Sequence, residues 1–401
     1  MRPAWLAEFL AFSPGPAEEV RLFFAPGRVN LLGEHLDYNG GTVLPAAIQV
    51  GTWCAIRPRA ERRWRVGSHT ESAVVEAAWP AIRVPRAAHG FAQYPFGVVV
   101  MLEAAGIAVP GADCYFWGTV PQGAGLSSSA SLEVVTAYAL TAVAGQTPDR
   151  VTLARIAQQA ENAYVGVPCG LMDQLTVALG QAGHALLIPL PTLAVRAVPV
   201  PHAQDWALVI VDSRKPHHLV ASPYRQRRQE CEAALARLQQ AGWPIQALAD
   251  IAPEALPQAL AIVRDPVLQR RVRHVVSEQQ RTLRAAEVLA AGDFVAFGQL
   301  MNASHRSLQA DYDVTGPELD TLAEAAWAVP GCVGSRMTGA GFGGSTIAWV
   351  ARDAVDAFQA QVRATYAARF GREPGFLVAE LGDGVHEVAW TNEEEIPCAS
   401  S

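Results

Sequence analysis

The sequence predicts an α/β fold in two domains, and three observations carry that reading. The chain has 401 residues, of which 50% are hydrophobic and 17% charged, so a sizeable core is available and disorder is excluded as the dominant state. Strand-like and helix-like stretches take turns along it. Strand-favouring runs fall at 20–25, 43–57, 62–79, 112–119, 205–212 and 386–390, and helical runs at 5–12, 91–105, 130–143, 222–240, 266–310 and 353–369. One strand leads directly into a glycine loop that opens a helix, at Pro121-Gln122-Gly123-Ala124-Gly125-Leu126-Ser127-Ser128-Ser129.

That loop is the first candidate site. Gly123 and Gly125 lack a Cβ, and serine is a preferred helix N-cap. The first turn of a helix has N–H groups without internal partners and a positive dipole, which together suit an anion, phosphate above all. Taken alone, Gly-x-Gly with serines fits a flexible turn before a buried helix equally well.

The cations narrow the chemistry. Of 31 Lys and Arg residues only Lys215 is a lysine, and it stands in Arg-Lys-Pro. A lysine-bearing P-loop and the protein-kinase scheme are therefore excluded, and phosphate binding must lean on backbone amides, hydroxyls, a metal and arginine. A net charge of −7 without a basic stripe argues against nucleic acid. The six cysteines (Cys54, Cys114, Cys169, Cys231, Cys332, Cys398) are scattered without Cys-x-x-Cys, which fits buried thiols in a reducing compartment. Neither an N-terminal apolar leader nor an 18-residue apolar span is present. A soluble, cytoplasmic protein with no membrane partner is expected.

Between Pro26 and Gly41, the residues Arg28, Asn30, Glu34, His35, Asp37 and Asn39 are crowded together, with Val29, Leu31 and Leu32 woven among them. The apolar residues suggest that the polar groups are pinned to a wall and face a cleft. Carboxylates with His and Asn suit a polyol, whose hydroxyls both donate and accept; a structural turn is the plainer alternative. Further on, Thr147-Pro148-Asp149 predicts an N-cap, a proline at N1 and an acid in the first turn of a helix reaching about Val165. That helix carries Glu161, and Asp173 follows in an apolar turn. Two acids beside a phosphate loop suggest a magnesium ligand and a catalytic carboxylate, against the alternative of two surface acids. The proline-rich, apolar stretch 185–201 is read as the boundary between domains at 1–200 and 201–401. His217-His218 lacks companions at metal spacing. The run Thr338 to Ser345 formally matches Gly-x-Gly-x-x-Gly, but β-favouring residues follow it where a dinucleotide fingerprint needs a helix. A glycine loop between two strands is predicted instead. The acidic tail after Asn392 is expected to fray.

Three of these stretches together resemble the superfamily of galactokinase, homoserine kinase, mevalonate kinase and phosphomevalonate kinase, and within it the galactokinases. They are Gly-Arg-Val-Asn-Leu-Leu-Gly-Glu-His-Leu-Asp-Tyr-Asn at 27–39, Gly-Ala-Gly-Leu-Ser-Ser-Ser-Ala at 123–130 and Thr-Gly-Ala-Gly-Phe-Gly-Gly at 338–344. Glu161, Cys-Gly-Leu-Met-Asp-Gln at 169–174, Ser-Pro-Tyr-Arg at 222–225 and the stretch from Asp313 to Asp320 are similar too. Leu36 stands where the family usually has Thr, and Gln122 where smaller residues are commoner.

The resemblance implies ATP-dependent phosphorylation of the C1 hydroxyl of α-D-galactose. It implies two lobes with the site in the cleft between them: an N-terminal mixed-sheet lobe with left-handed crossover character and a C-terminal ferredoxin-like lobe. Carried over by residue, Glu34, His35, Leu36, Asp37, Gly170 and Tyr224 form the sugar site. Gly123, Ala124, Gly125, Leu126, Ser127, Ser128 and Ser129 wrap the ATP phosphates. Ser129, with Ser128 in competition, and Glu161 bind Mg²⁺, Asp173 is the catalytic carboxylate and Arg28 stabilises the transition state. The expected partners are galactose and ATP, with the chain a monomer or weak homodimer. Rival readings are a kinase for N-acetylgalactosamine or arabinose, a non-catalytic galactose sensor and, last, a dinucleotide enzyme.

Overall fold

The computed structural model describes residues 4–71, 73–121, 123–201, 204–215 and 221–389, with side chains for all of these except 221 and 222. Gln122, the His217-His218 pair, Cys398 and the acidic tail lie outside them. Among the described residues twelve strands form two sheets. The larger sheet has the order β12 (His386–Val388), β1 (Arg21–Leu32), β2 (Thr42–Arg59), β5 (Gly111–Gly118), β3 (Arg63–Ser68), β4 (Val75–Ala78). β6 (His184–Pro189) is added to β2, and β7 (Arg196–Pro199) to β6. Pairing is antiparallel except between β3 and β5, so the sheet is mixed. The smaller sheet, β11 (Gly375–Ala379), β8 (Trp206–Asp212), β10 (Ser345–Ala351), β9 (Cys332–Thr338), is wholly antiparallel.

Among the described residues eleven α-helices cover these sheets. α1 (Ala4–Phe12) packs Leu6 and Phe9 beside Trp117. α2 (Gln93–Ala104), α3 (Ser128–Val143), α4 (Arg150–Gln159) and α5 (Met172–Leu179) form the helical layer of the larger sheet, sharing one core with Phe23, Ile56 and Cys114. α6 (Ala221–Gln240), α7 (Leu256–Val263) and α8 (Pro266–Ala290) lie together, followed by α9 (Phe294–Ser307), α10 (Gly316–Trp327) and α11 (Val355–Phe370). Strand alternation assigns the faces of the smaller sheet. Ala207, Val209 and Val211 of β8 pack on Leu322, Phe358 and Val362 of α10 and α11. Leu208 and Ile210 face Leu289, Phe297 and Met301 of α8 and α9, in a core that also takes Val29, Leu31 and Leu44 from β1 and β2. The two sheets are therefore joined through an apolar core beside the polar run.

The α/β class is as the sequence predicts, and the differences lie at element ends. β1 does not stop near 25 but continues to Leu32, because β2 pairs with Gly27–Asn30 beyond a register shift at Pro26. Val29 and Leu31 turn into the shared core while Arg28 and Asn30 alternate to the other side, so the first half of the polar run is strand rather than loop. Asp149, not Thr147, caps α4, accepting from the Thr152 N–H at 2.9 Å. No serine hydroxyl caps α3, since Ser127 is left-handed (φ 63°) and its hydroxyl is used elsewhere. The glycine loop of 339–344 joins β9 to β10, as expected. The five described cysteines are free thiols. Among the described residues no helix is long and apolar enough to cross a membrane.

Candidate active site

Residues from the first and third motif stretches, 27–39 and 338–344, meet at one cavity of about 310 Å³. Arg28, Glu34, His35 and Asp37 line it from β1 and the turn after it, Cys169, Gly170 and Asp173 from the segment opening α5, Tyr224 from α6, and Gly339 and Ala340 from the β9–β10 loop.

The centre of the wall is an arginine–carboxylate fork. Arg28 Nε donates to Asp173 Oδ1 and Nη2 to Oδ2, each at 2.8 Å, the planar bidentate geometry that guanidinium alone provides. Its third arm, Nη1, donates to the Gly125 carbonyl at 2.8 Å, tying the fork to the glycine loop. Ser127 completes the link, its hydroxyl donating to Asp173 Oδ2 at 2.5 Å. Arg28 is buried, whereas Asp173 is partly open.

Glu34 is buried deeper. Its Oε2 accepts from Asn30 Nδ2 at 2.9 Å and its Oε1 from the Gly339 N–H at 2.6 Å, with Arg336 at 3.6 Å. Burial pushes the Glu34 carboxyl up, and Arg336 and Asn30 oppose that shift. His35 sits in a left-handed turn (φ 63°) with Nδ1 2.9 Å from Tyr38 Oη. Burial brings its pKa down to about 3, so the ring is neutral. The turn is held from behind by α8: His274 Nε2 donates to the Glu34 carbonyl at 3.1 Å, and Glu278 Oε1 accepts from the Gly33 N–H at 3.1 Å.

Asp37 faces Gly170. A Cβ on Gly170 would lie 1.7 Å from Asp37 Oδ2 and 2.5 Å from its Cγ, so only glycine lets the two segments meet here. Gly170→Ala is expected to push the carboxylate aside and raise the KM of a substrate held in this cavity by about tenfold, the equivalent of a lost hydrogen bond to a charged group. Steady-state kinetics checks this; a KM within twofold of wild type would contradict it.

Burial, with Asp173 and Glu34 nearby, pushes Asp37 up to about 7. An acid whose pKa is raised on folding costs stability, beginning above the ordinary value near 4 and reaching its full size above about 7. Asp37→Asn should therefore raise Tm by on the order of 2–4 °C at pH 8 and less at pH 5. Equal Tm shifts at the two pH values would refute the assignment.

A second cavity, of about 380 Å³, adjoins the loop on its other side. Gly123, Ser128 and Ser129 line it together with Thr52, Ser68, Phe91, Tyr94 and Phe116. Gly123 and Gly125 both have positive φ, 74° and 73°. The carbonyls of Ala124, Gly125 and Leu126 are turned inward, accepting from Ser345 Oγ, Arg28 Nη1 and the Arg28 N–H. With its carbonyls engaged and no hydroxyl cap, the loop and the start of α3 offer amides to an anion. Ser129 Oγ donates to Glu161 Oε1 at 3.1 Å, and Gln174 Nε2 holds Glu161 Oε2 at 2.8 Å. Glu133 lies beside this pair, fully buried, accepting from Gln174 at 3.3 Å. Burial and the Glu161 carboxylate push Glu133 up to about 10, so it is protonated at neutral pH.

Of the residues singled out in the sequence, the structure brings Arg28, Glu34, His35, Asp37, Gly170, Asp173 and Tyr224 to the first cavity and Gly123, Ser128 and Ser129 to the second. Leu36 is a correction. Its side chain is wholly buried in the larger core and turned away from the cavity, because the left-handed His35 reverses the chain and sends the next side chain inward. Ala124 and Leu126 likewise pack inward, leaving only their backbone at the loop. Sequence reasoning missed Tyr38, Tyr312, His274, Glu278, Arg336 and Gln174. For Glu133 a signal existed, a lone acid in the apolar run 130–143.

Sequence and fold match known proteins. The model of the galactokinase galactose-binding signature matches residues 7–58, that of the GHMP kinase N-terminal domain 93–181 and that of the GHMP kinase C-terminal domain 285–368. Mevalonate kinase of Methanococcus jannaschii shares the fold, with a TM-score of 0.63 at 16% identity over 92% of this chain and 100% of its own. These define the class, a GHMP-type small-molecule kinase. A galactokinase from Halalkalibacterium halodurans is 45% identical over 94% of this chain and 95% of its own length. One from Chloroflexus aurantiacus is 47% identical over 94% and 95%. The structure of Lactococcus lactis galactokinase complexed with galactose superposes with a TM-score of 0.92 at 38% identity, covering 96% of this chain and 99% of that one. The chain belongs to the galactokinase family.

Proposed function

We infer that the chain transfers the γ-phosphoryl group of ATP to the C1 hydroxyl of α-D-galactose, giving galactose 1-phosphate and ADP. The observation that carries this is the fork of Arg28 and Asp173, set in the wall of a polar cavity and tied through Gly125 and Ser127 to the glycine loop. A polyol in the first cavity and a nucleotide tail on the loop would meet there. Glu34, His35, Asp37 and Tyr224 bind the sugar, with Gly170 leaving the room that Asp37 needs. The loop from Gly123 to Ser129 receives the phosphates, and the second cavity, lined by Phe91, Tyr94 and Phe116, takes the base.

The hydroxyl oxygen attacks the γ-phosphorus, the bond to the β–γ bridging oxygen breaks, and the hydroxyl proton passes to Asp173. In such transfers protein groups mainly position reactants and neutralise charge, so the guanidinium of Arg28 counters the charge on the transferring group. Ser129 Oγ and Glu161 Oε1, two hard oxygen donors 3.1 Å apart, would hold a Mg²⁺. When bound, Mg²⁺ supplies neutralisation of phosphate charge.

We place the division between lobes near 200, each built on one sheet, with β12 crossing back to the first. The free thiols support a cytoplasmic setting. A coupled ADP assay with galactose, its 2-deoxy and 2-acetamido analogues, glucose and arabinose tests the function. Turnover greatest with galactose is expected; no ADP release with galactose and Mg²⁺ would overturn the reading, and preference for another sugar would reassign the substrate.

A further inference from the structure

Behind His35 runs a chain of hydrogen-bonding groups that none of these roles uses. His35 Nδ1 lies 2.9 Å from Tyr38 Oη, Tyr38 Oη 2.9 Å from Tyr312 Oη, and Tyr312 Oη 3.1 Å from Cys231 Sγ. Tyr312 and Cys231 are buried and come from the turn after α9 and from α6, far from His35 in sequence. Asn39 Nδ2 divides its two hydrogens between the His35 carbonyl at 2.7 Å and Tyr312 Oη at 3.4 Å.

The protons can run along this chain in two directions. A neutral imidazole has one N–H, so the direction decides which ring nitrogen carries it. Running inward from the ring, Nδ1–H donates to Tyr38, Tyr38 to Tyr312, and Tyr312 to sulfur. That puts a phenol hydrogen on a weak acceptor and leaves the thiol hydrogen out of the chain. Running outward, the thiol donates to Tyr312, Tyr312 to Tyr38, and Tyr38 to Nδ1. Every hydrogen is then used, Tyr312 Oη accepts from both Asn39 and Cys231, and a phenol meets the imidazole nitrogen, the strongest acceptor available. Burial pushes the Cys231 thiol up to about 11, so the hydrogen it must donate is present. The neighbouring His274 follows the same pattern: its Nε2 must donate to the Glu34 carbonyl, and its Nδ1 accepts from Ser307 Oγ at 2.9 Å. On His35 the outward direction leaves Nε2–H, a buried nitrogen at the cavity wall, with the Ala340 backbone as the acceptor beside the ring.

We propose that Tyr38, backed by Tyr312 and Cys231, is a positioning residue that fixes His35 as the Nε2–H tautomer, so that the ring holds the cavity wall as a donor toward the Ala340 backbone and shapes the sugar site. The identity of the ligand rests on the galactose reading; the tautomer does not. The test uses the full chain labelled with ¹⁵N-histidine and free of sugar, where long-range proton–nitrogen spectra distinguish the tautomers. A protonated Nε2 with bare Nδ1 on His35 is expected, and a protonated Nδ1 overturns the proposal. Tyr38→Phe, which removes the donor to Nδ1, should leave His35 as a mixture of tautomers and raise the galactose KM by about three- to tenfold, as for a lost hydrogen bond, with kcat changed less than KM. Cys231→Ala takes away the acceptor that the inward direction needs, so it should keep the Nε2–H tautomer, and a protonated Nδ1 in that variant refutes the outward direction. A Tyr38→Phe protein with the wild-type tautomer and KM refutes the relay. Absence of ADP release with galactose, beside an intact Nε2–H signal, would remove the galactose reading and leave the relay standing.

Discussion

Asp173→Asn is expected to lower kcat by roughly 10²–10⁴-fold, the range a positioned proton acceptor supplies, while galactose affinity stays within a few-fold. The substitution keeps size and planarity and removes the negative charge. One Arg28 arm and the Ser127 hydroxyl can still donate to the amide oxygen, so the fork loses only one of its two Asp173 contacts. What disappears is the group that can take the hydroxyl proton. Both Asp173 oxygens already accept from Arg28, and a paired carboxylate is a poor base toward an alcohol. The proton should therefore move late, as the oxygen–phosphorus bond forms, and the loss should appear in single-turnover rates as well as in kcat. Near-normal turnover by the Asn variant would show that Asp173 only orients the hydroxyl and that no base is needed.

The second large effect is expected at Arg28→Lys, a loss in kcat on the order of 10²–10³-fold, comparable to removing one donor from a preorganised anion site. Charge is conserved, so the experiment isolates geometry. An ammonium is a compact point donor and cannot span both Asp173 oxygens while also reaching the Gly125 carbonyl, three contacts that Arg28 makes at 2.8 Å each. Losing the Gly125 contact uncouples the loop from the acceptor side, so the nucleotide KM should rise with the fall in kcat. Turnover within threefold of wild type would show that a positive charge suffices and that the fork is structural.

Much of this site was legible in the sequence, and the part that was not has a physical cause. Gly123 and Gly125 mark the first loop because its backbone takes a positive φ at both. The polar run was visible because charged residues interleaved with Val29, Leu31 and Leu32 make no sense in a solvated loop. That the same run is the end of β1 was hidden by Pro26-Gly27, which reads as a break and is in fact the register shift. The pairing of Arg28 with Asp173 crosses 145 residues and leaves no periodicity to detect. His274, Glu278 and Arg336 are harder still. On an isolated helix or strand they read as a solvated face, and only the packing of α8 and β9 against the β1 turn reveals them as buried. Leu36 shows the opposite failure, since a place in the motif between two site residues does not reveal which way a side chain turns after a left-handed residue.

The last strand has a consequence for synthesis. β12 pairs with β1 through Leu22, Phe23 and Phe24, and the segment before it is stitched to the same half of the protein, from Gln49 N–H to Glu380, Gly382 N–H to Ala47, and Val385 N–H to Val177. A nascent chain emerging from the ribosome thus holds an open edge on its first sheet until residues 386–388 have been made. The N-terminal half cannot close as an independent unit during translation, and a stop codon placed just before 380 would release a protein with both glycine loops present and its oldest strand still uncovered.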